Sequence, residues 1–448
     1  MQPVQQRCFL NKTVTVIGGG LAGCEAAWAL AQAGVAVTLH EMKPHKYTEA
    51  HHYPGLAELV CSNSLKATRL ASAAGLLKAE MELMGSLVLR CAAQSAVSAG
   101  GALAVDREKF SDLCTQAVRS HPRITIAEGE VTQLPQEGFV IIATGPRTSA
   151  AFSETIAQLC GSHALSFYDA SAPIVTREAI DDGKTFCASR YDRGEADYIN
   201  CPFSQEEYKA FYQALVSAQT VELHDFEKEY FRVYEGCMPI EVMARRGEDT
   251  IRFGPMRPVG ITDPRTGRRP WANLQLRREN AQGSLYNLVG FQTNLLFPEQ
   301  KRVFSMIPGL ENADFVRYGV MHRNTFIDAP RLLDGTFTLR SDPRIVFAGQ
   351  ITGVEGYIES AASGILAGRA LALRLAGRET PPPPADTMLG ALCRYISNPE
   401  IANFQPMGCN MGILPPLPEI VKGKEARYTA LAERALASMR DYLKIWEE

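Results

Sequence analysis

Four glycines and a glutamate near the N-terminus are spaced to bind a dinucleotide. Gly18, Gly19, Gly20 and Gly23 contain the pattern GxGxxG between an apolar, β-rich run and a helical run, CEAAWALAQAG. Such a turn brings backbone N–H groups and the positive end of a helix dipole to a pyrophosphate. Glu41 ends the next strand, where a carboxylate can accept hydrogen bonds from ribose hydroxyls. The glycine pattern alone separates FAD neither from NAD nor from S-adenosylmethionine.

Cysteine is the second residue type with chemical potential. The eleven cysteines are scattered, without a CxxC pair. This spacing is typical of free thiols in a reducing compartment, and it disfavours a zinc site or a disulfide reductase. His51 and His52 are adjacent but point in opposite directions on a strand, so we expect no metal site.

The spacing of apolar residues, together with glycines and capping residues, predicts the helices and strands that must position these residues. Residues 13–40 predict a strand, a helix and a strand, the opening of a Rossmann-type fold. A single long helix is expected over about 67–90, and Asp106 begins another. Two later runs, RITIAEGEVTQL and GFVIIATGP, predict strands that return to the sheet.

We expect four segments. A first part of a nucleotide-binding domain spans 1–172, and an inserted α+β domain spans 173–328. The first domain resumes over 329–380 with the strand RIVFAGQ and a strongly apolar helix. After the PPPP spacer, 381–448 should form two helical stretches packed on that domain. The fold class is therefore α/β with an insertion.

Composition and charge indicate where the protein works and what it can bind. The net charge is −3, and no run reaches the roughly 18 to 20 apolar residues that a membrane helix needs. The first twelve residues lack the apolar core of a signal peptide, so we expect a cytoplasmic protein. The overall charge hides a local excess, because seven arginines and one acid lie between residues 252 and 278.

Two later segments favour FAD. The strings VIIATGP (140–146) and RIVFAGQITGVEGYIESAASG (344–364) resemble nucleotide-contacting segments of the glutathione-reductase-like FAD proteins. The resemblance implies a Rossmann-type FAD-binding domain and adds cofactor residues: Gly145, Gly349, Gly353, Gly356 and Tyr357. No second strand, GxGxxG and helix unit is present to bind NADH or NADPH separately.

Further strings resemble the TrmFO family, and together they cover nearly the whole chain. They are LVCSNSLK (59–66), VDREKF (105–110), YEGCMPIEVMA (234–244), FGPMRPVG (253–260), GFQTNLLFPEQKRVF (290–304) and ITGVEGYIESAASG (351–364). The resemblance implies a flavoprotein methyltransferase that forms 5-methyluridine at position 54 of the tRNA T-loop. It also implies 5,10-methylenetetrahydrofolate as one-carbon donor, FAD as reductant, and NADH or NADPH as electron source.

That chemistry requires a cysteine. Uracil C5 is a weak nucleophile, and addition of a thiolate at C6 produces an enolate that can attack a one-carbon donor. The resemblance singles out Cys237 and Cys61; we assign Cys237 to C6 and Cys61 to proton removal at C5, with the reverse open. It places Asn294, Glu355 and Tyr357 around the folate.

The arginine-rich stretch predicts contacts with tRNA. Its arginines, interleaved with Phe253 and Trp271, suit phosphates and unstacked bases. They are Arg252, Arg257, Arg265, Arg268, Arg269, Arg277 and Arg278.

Three alternatives stay open at this point. One is the related FAD- and folate-dependent family that modifies the wobble uridine, whose members are longer. Another is a flavin-bearing tRNA-binding module without methyl transfer, and the third is a flavin oxidoreductase for small molecules. The sequence leaves undetermined the oligomeric state, the choice between NADH and NADPH, the order of one-carbon transfer and the docking orientation of the tRNA.

Overall fold

The structure is a computed structural model that describes most of the chain. The described residues are 13–48, 50–161, 164–170, 172–192, 195–221, 238–279, 283–319, 321–401 and 404–446. The helices among them are α1 (Leu21–Gln32), α2 (Ala73–Leu83), α3 (Leu87–Gln94), α4 (Arg107–Ser120), α5 (Ala150–Cys160), α6 (Gln205–Ser217), α7 (Ile240–Ala244), α8 (Glu248–Phe253), α9 (Phe297–Phe304), α10 (Ala329–Leu332), α11 (Tyr357–Leu375), α12 (Met388–Ser397) and α13 (Lys424–Lys444).

The strands alternate with these helices in the first part of the chain and dominate its middle. They are β1 (Thr13–Ile17), β2 (Ala36–Glu41), β3 (Ser64–Ala67), β4 (Ala96–Val97), β5 (Ala102–Val105), β6 (Ile124–Glu128), β7 (Phe139–Ile142), β8 (Ala164–Ala170), β9 (Ile174–Thr176), β10 (Phe186–Cys187), β11 (Ile199–Phe203), β12 (Ala272–Arg278), β13 (Leu285–Leu288), β14 (Phe315–Arg317), β15 (Met321–Ile327) and β16 (Ile345–Phe347).

A parallel sheet organises the first domain. Its five strands follow the order β16, β7, β1, β2, β6, and every pairing is parallel. Helices α1 and α11 pack against each other beside it, with Gly364 and Gly368 of α11 against the backbone of α1. The strand at 345–347 returns to the edge of a sheet begun more than 300 residues earlier, as a doubly wound α/β fold allows. The predicted fold class is confirmed.

The middle of the chain forms a second, antiparallel sheet. Its six strands follow the order β10, β11, β12, β13, β9, β14, and they cover a separate apolar core with members from Val175 to Ala313. The chain enters this region through β8 and leaves it through β15, which pair with each other antiparallel. The division at 173–328 stays our proposal for the domain boundary.

The segment expected as one long helix is divided. Residues 64–67 form β3, and the helices α2 and α3 meet at Gly85, whose φ is 75°. The hydroxyl of Ser86 accepts from Leu89 N at 3.1 Å and so caps α3. The buried Glu25 carboxylate accepts from Leu87 N at 3.0 Å and from Val88 N at 2.9 Å. The prediction of a single helix over 67–90 was wrong because a tertiary partner satisfies the new helix end.

The C-terminal region packs on the first domain. After the prolines at 381–384, α12 and α13 place Met388, Leu392, Leu431 and Met439 in the core of the parallel-sheet region. Within the described residues, no helix is both long and apolar enough to cross a membrane.

Candidate functional site

A cleft lies at the carboxyl ends of the parallel strands, where α/β folds bind ligands. It encloses about 1070 Å³ of space between the segments that follow β1, β2, β6, β7 and β16. Predicted cofactor residues that line it are Gly18, Gly19, Gly20, Glu41, Gly145, Gly349 and Tyr357. The cleft is lined by residues from five strand ends, which is where a dinucleotide lies in doubly wound folds.

The glycine turn is close-packed on one side and open on the other. A Cβ at Gly23 would lie 1.8 Å from the carbonyl oxygen of Gly18, and one at Gly18 would lie 2.5 Å from that of Ala143. A Cβ at Gly20, in contrast, would meet nothing within 4 Å. Gly20 is also the N-cap of α1 and provides no side-chain cap. The helix N-terminus thus faces open space with free N–H groups, which fits a pyrophosphate.

Glu41 lies where a ribose would meet the cleft. Its carboxylate accepts from Gly19 N at 2.7 Å and from Lys43 N at 3.0 Å. The buried Lys43 ammonium donates to Gly55 O at 2.6 Å and pairs with Glu58 at 3.1 Å. These bonds tie the residues that follow β2 to the wall of the cleft. The open helix end and the placed carboxylate together fit the dinucleotide that the sequence predicts.

Two predicted cofactor glycines serve packing instead of lining the cleft. A Cβ at Gly353 would lie 2.4 Å from the ring of Phe404, and Gly353 has a φ of 89°. A Cβ at Gly356 would lie 2.3 Å from the Glu359 carboxylate and 2.7 Å from the Lys66 ammonium. Neither residue lines the cleft, but both shape the turn that leads to Tyr357.

Cys61 lies against Tyr357, which lines the cleft. Its sulfur lies 2.9 Å from the phenol oxygen, which also accepts from Cys61 N at 2.8 Å and from Ser62 N at 3.2 Å. Because two N–H groups approach the oxygen, its own proton is left to point towards the sulfur. Burial, with the Cys61 charge adding to it, raises the pKa of Tyr357 well above its usual value. The phenol therefore stays protonated and can stabilise a thiolate.

A group of buried and half-buried arginines surrounds the loop that carries Cys61. Arg277 donates to Asn63 Oδ1 at 3.0 Å and to Ser62 Oγ at 2.6 Å. Arg107 donates to Leu59 O at 2.8 Å and forms a close ion pair with Glu279. The loop is thereby fastened to the end of β12 and the start of α4.

Arg317 belongs to the same group. Burial first, and the Arg107 charge next, lower the pKa of Arg317 to about 10. The sequence analysis did not identify Arg107 or Arg317 as site residues, although VDREKF was one of the family strings. From that string the sequence analysis used one residue, Asp106, and only as the start of a helix.

The predicted folate residues do not all come together. Tyr357 lies at Cys61, and the Glu355 carboxylate, two residues earlier in the chain, accepts from Gln350 Nε2 at 2.8 and 2.9 Å. Asn294 is buried in the second region, where its N–H donates to Glu241 Oε1 at 2.8 Å. Among the described residues, no hydrogen bond connects Asn294 with the other two. Cys237 lies outside the described residues.

The arginine-rich stretch separates into different environments. Arg252, Arg265, Arg268 and Arg269 line a second cleft together with Phe253 and Trp271. Arg257 donates to the Tyr191 hydroxyl at 3.2 Å. Arg277 is buried in the Cys61 group and so does not belong to the basic surface.

Comparisons with known proteins agree with the family resemblance found in the sequence. A family model described as glucose inhibited division protein A matches residues 13–379. The curated TrmFO methyltransferase of Acetivibrio thermocellus is 54% identical over 430 residues, which is 96% of this chain and 98% of that protein. That of Heliobacterium modesticaldum is 56% identical over 431 residues, again 96% and 98%. The chain belongs to the TrmFO family. The resemblance found in the sequence is confirmed.

Solved structures extend the TrmFO comparison to the fold. GidA of Aquifex aeolicus in its form II crystal superposes with a TM-score of 0.70 at 16% identity, over 96% of this chain and 73% of that chain. The form I crystal gives a TM-score of 0.68 at 15% identity, over 97% and 78%. TrmFO and GidA therefore share an architecture despite little sequence identity.

Proposed function

We propose that this chain is a methylenetetrahydrofolate–tRNA (uracil-5-)-methyltransferase. It transfers a one-carbon unit from 5,10-methylenetetrahydrofolate to C5 of a uridine in tRNA and uses FAD. The observation that carries the proposal is Cys61, placed at 2.9 Å from Tyr357 on the wall of the dinucleotide cleft, in a chain 54% identical to a TrmFO methyltransferase. This chemistry requires a thiol beside the flavin site, here as the group that takes the C5 proton.

The finer assignment is also ours. We place the target at uridine 54 of the T-loop, NADH or NADPH as the source of electrons, and the reaction in the cytoplasm. These follow from the family strings. The wobble-uridine alternative is less favoured, because the TrmFO relatives match this chain over nearly its full length.

The two cysteines have different roles in this reaction. The Cys237 thiolate adds to uracil C6, and its electron pair moves through the ring to give an enolate whose C5 attacks the methylene carbon. The C5 proton then passes to Cys61, and the bond between the methylene carbon and the folate nitrogen breaks, which releases tetrahydrofolate and leaves an exocyclic methylene at C5 with sulfur still bound to C6. Bound reduced FAD would supply a hydride to that methylene carbon, after which the C5=C6 double bond re-forms, the C6–S bond breaks and the Cys237 thiolate leaves the methylated base. The opposite distribution of the two thiols stays open.

Tyr357 prepares Cys61 for its part. Its hydroxyl is fixed by Cys61 N and Ser62 N, so the remaining proton is directed at the sulfur. A donated hydrogen bond stabilises the thiolate, the form that can accept the C5 proton. Arg277, through Ser62 and Asn63, holds the loop in place.

The cofactor and the folate would share this corner of the molecule. The free end of α1 at Gly20 suits the pyrophosphate, with Gly18, Gly19, Gly23 and Glu41 around it. In our proposal Gly145, Gly349, Gly353, Gly356 and Tyr357 support the flavin end. We assign Glu355 and Tyr357 to the pterin, whereas Asn294 would reach it only across the boundary between the two cores.

For tRNA we retain the basic surface of the second region. Arg252, Arg265, Arg268 and Arg269 share one cleft, and Arg257 lies on a neighbouring segment. Phosphate contacts by such residues make binding strongly dependent on salt.

The proposed function is tested by tracing the transferred carbon. Purified protein is incubated with unmodified tRNA transcript, NADH or NADPH, and methylenetetrahydrofolate labelled in its methylene carbon, and the RNA is digested. Label in 5-methyluridine is the expected result. A yellow, folded protein that transfers no label would overturn the proposal, and label in a wobble nucleoside would move it to the longer flavoprotein family.

A further inference from the structure

The second cleft, which four arginines line together with Phe253 and Trp271, is separate from the dinucleotide cleft. It encloses about 1790 Å³ between the loop that precedes β12, the end of α8 and the start of α6. None of its lining residues also lines the dinucleotide cleft. The side chains relevant here are Lys184, Glu207, Arg252, Phe253, Asp263, Arg265, Arg268, Arg269 and Trp271.

An aromatic stack forms one wall of this cleft. The Arg252 guanidinium carbon lies 3.9 Å from the centroid of the Trp271 ring and 4.9 Å from that of Phe253. Arg252 Nε donates to Trp271 O at 3.0 Å, which fixes the guanidinium in this position. Phe253, at the outer end of the stack, is 59% exposed. An aromatic ring is thus held at the surface by a half-buried cation and a second ring.

The charges of the cleft leave two arginines uncompensated. Asp263 is engaged by Arg265 through two hydrogen bonds of 3.0 and 2.8 Å, and Glu207 accepts from Ser204 N at 2.8 Å. Arg268 and Arg269 are exposed, and neither has an acidic partner among the residues that the structure describes. A polyanion would therefore find two free guanidinium groups beside an exposed aromatic ring.

We propose that this cleft is a docking subsite for an RNA nucleotide remote from the reacting uridine. Its base stacks on Phe253, and Arg268 and Arg269 hold the flanking phosphates. Stacking on an aromatic ring next to arginine is how proteins recognise unstacked bases in RNA. The inference rests on the proposed function, because that function makes tRNA the partner.

Strand β12 sets the distance between this subsite and Cys61. Trp271 precedes the strand and belongs to the stack, whereas Arg277 near its end fastens the Cys61 loop. Six residue steps at roughly 3.3 Å correspond to about 20 Å. A nucleic-acid strand advances about 3.4 Å per nucleotide in B-form and less in A-form RNA, so a run of roughly six or more nucleotides spans the separation. One folded arm of a tRNA can therefore contact both places at once.

The test compares two exposed phenylalanines. Phe253→Ala removes the stacking ring, whereas Phe297→Ala removes a ring that is 50% exposed and stacked on Tyr318, outside the cleft. Binding of an unmodified tRNA transcript to the FAD-loaded protein is measured over a range of salt concentrations. We expect Phe253→Ala to weaken binding by roughly tenfold or more, and Phe297→Ala by less than twofold.

A double variant addresses the phosphates independently. Arg268→Gln with Arg269→Gln lies on an exposed loop, so it keeps the proposal testable even if Phe253→Ala misfolds. It should reduce the slope of log affinity against log salt by roughly one to two, a change that a structural defect would not produce. Affinity and slope like those of the parent, in yellow and folded protein, would overturn the subsite. If the parent transfers no label yet these variants lose tRNA binding, the subsite stands and the proposed reaction falls.

Discussion

The sulfur of Cys61 and the phenol oxygen of Tyr357 are 2.9 Å apart, although 296 residues separate them in the chain. The phenol oxygen accepts the N–H groups of Cys61 and Ser62, and its proton is left for the sulfur. One tyrosine at the start of α11 thereby fixes the position of a site thiol and can direct its hydroxyl proton at the sulfur. The first two predictions follow from this contact.

Tyr357→Phe should make Cys61 less reactive. The change removes a hydrogen bond to the thiolate, of a kind that contributes about 1.5–3 kcal/mol, so alkylation of Cys61 at neutral pH should slow roughly tenfold to a hundredfold. The rate is measured with iodoacetamide and mass spectrometry of the Cys61 peptide. Tyr395→Phe is the control, because its hydroxyl donates to Gln405 O. Equal rates for Tyr357→Phe and the parent would contradict the assigned direction of the hydrogen bond.

The two proposed thiols should behave differently towards a 5-fluorouridine-containing tRNA. Cys237→Ala should abolish the covalent adduct while the protein stays yellow, because no thiolate is left to add at C6. Cys61→Ala should retain the adduct but lose turnover. Cys187→Ala, at an exposed cysteine of β10, serves as the control. An adduct that persists in Cys237→Ala and disappears in Cys61→Ala would exchange the two roles.

Arg277→Gln should loosen the loop that carries Cys61. The substitution breaks the bonds to Asn63 Oδ1 and Ser62 Oγ and leaves polar groups buried without partners, at a cost of about 1–3 kcal/mol. We expect a lower kcat with FAD retained, and faster hydrogen exchange over residues 59–66. Arg302→Gln, which breaks an exposed pair with Glu299, is the matched control. Unchanged exchange in Arg277→Gln would remove the positioning role.

Glu80 should contribute to stability through a helix end. Its buried carboxylate accepts from Met388 N at 2.7 Å and from Leu389 N at 2.9 Å, and so caps α12 from α2. Glu80→Ala leaves these N–H groups unsatisfied and should reduce the free energy of unfolding by about 1–3 kcal/mol. Glu82→Ala, at an exposed position of the same helix, should change it by less than about 0.5 kcal/mol in denaturant titrations.

The same carboxyl predicts a dependence on pH. Burial raises the pKa of Glu80 from 4.5 to about 8, so between these values the folded state holds a proton that the unfolded chain has released. The contribution of Glu80 to stability should therefore be full below pH 4.5 and be lost as the pH rises through about 8. Glu80→Gln cannot titrate, and its melting temperature should change less than that of the parent between pH 5.5 and 8.5. Parallel curves for the two proteins would contradict this prediction.

Local patterns were sufficient where the determining contacts are local. The alternation of β1 and β2, the glycine turn and the N-cap at Asp106 all involve neighbours in sequence. The division of the expected long helix was missed because it depends on Glu25, a buried carboxylate about 60 residues away. Similarly, Arg277 looked like part of a basic surface until β12 placed it against Asn63.

By itself, the sequence determined the dinucleotide-binding fold, the family and the candidate thiol at Cys61, because periodicity, glycine spacing and family strings are properties of neighbouring residues. Only the tertiary structure decided that Tyr357 holds Cys61, that Arg107 and Arg317 surround its loop, and that four arginines share a second cleft with Phe253. The reason is physical. Side chains hundreds of residues apart meet only when the sheets and helices bury their apolar faces, and no local pattern records which distant partners that burial brings together.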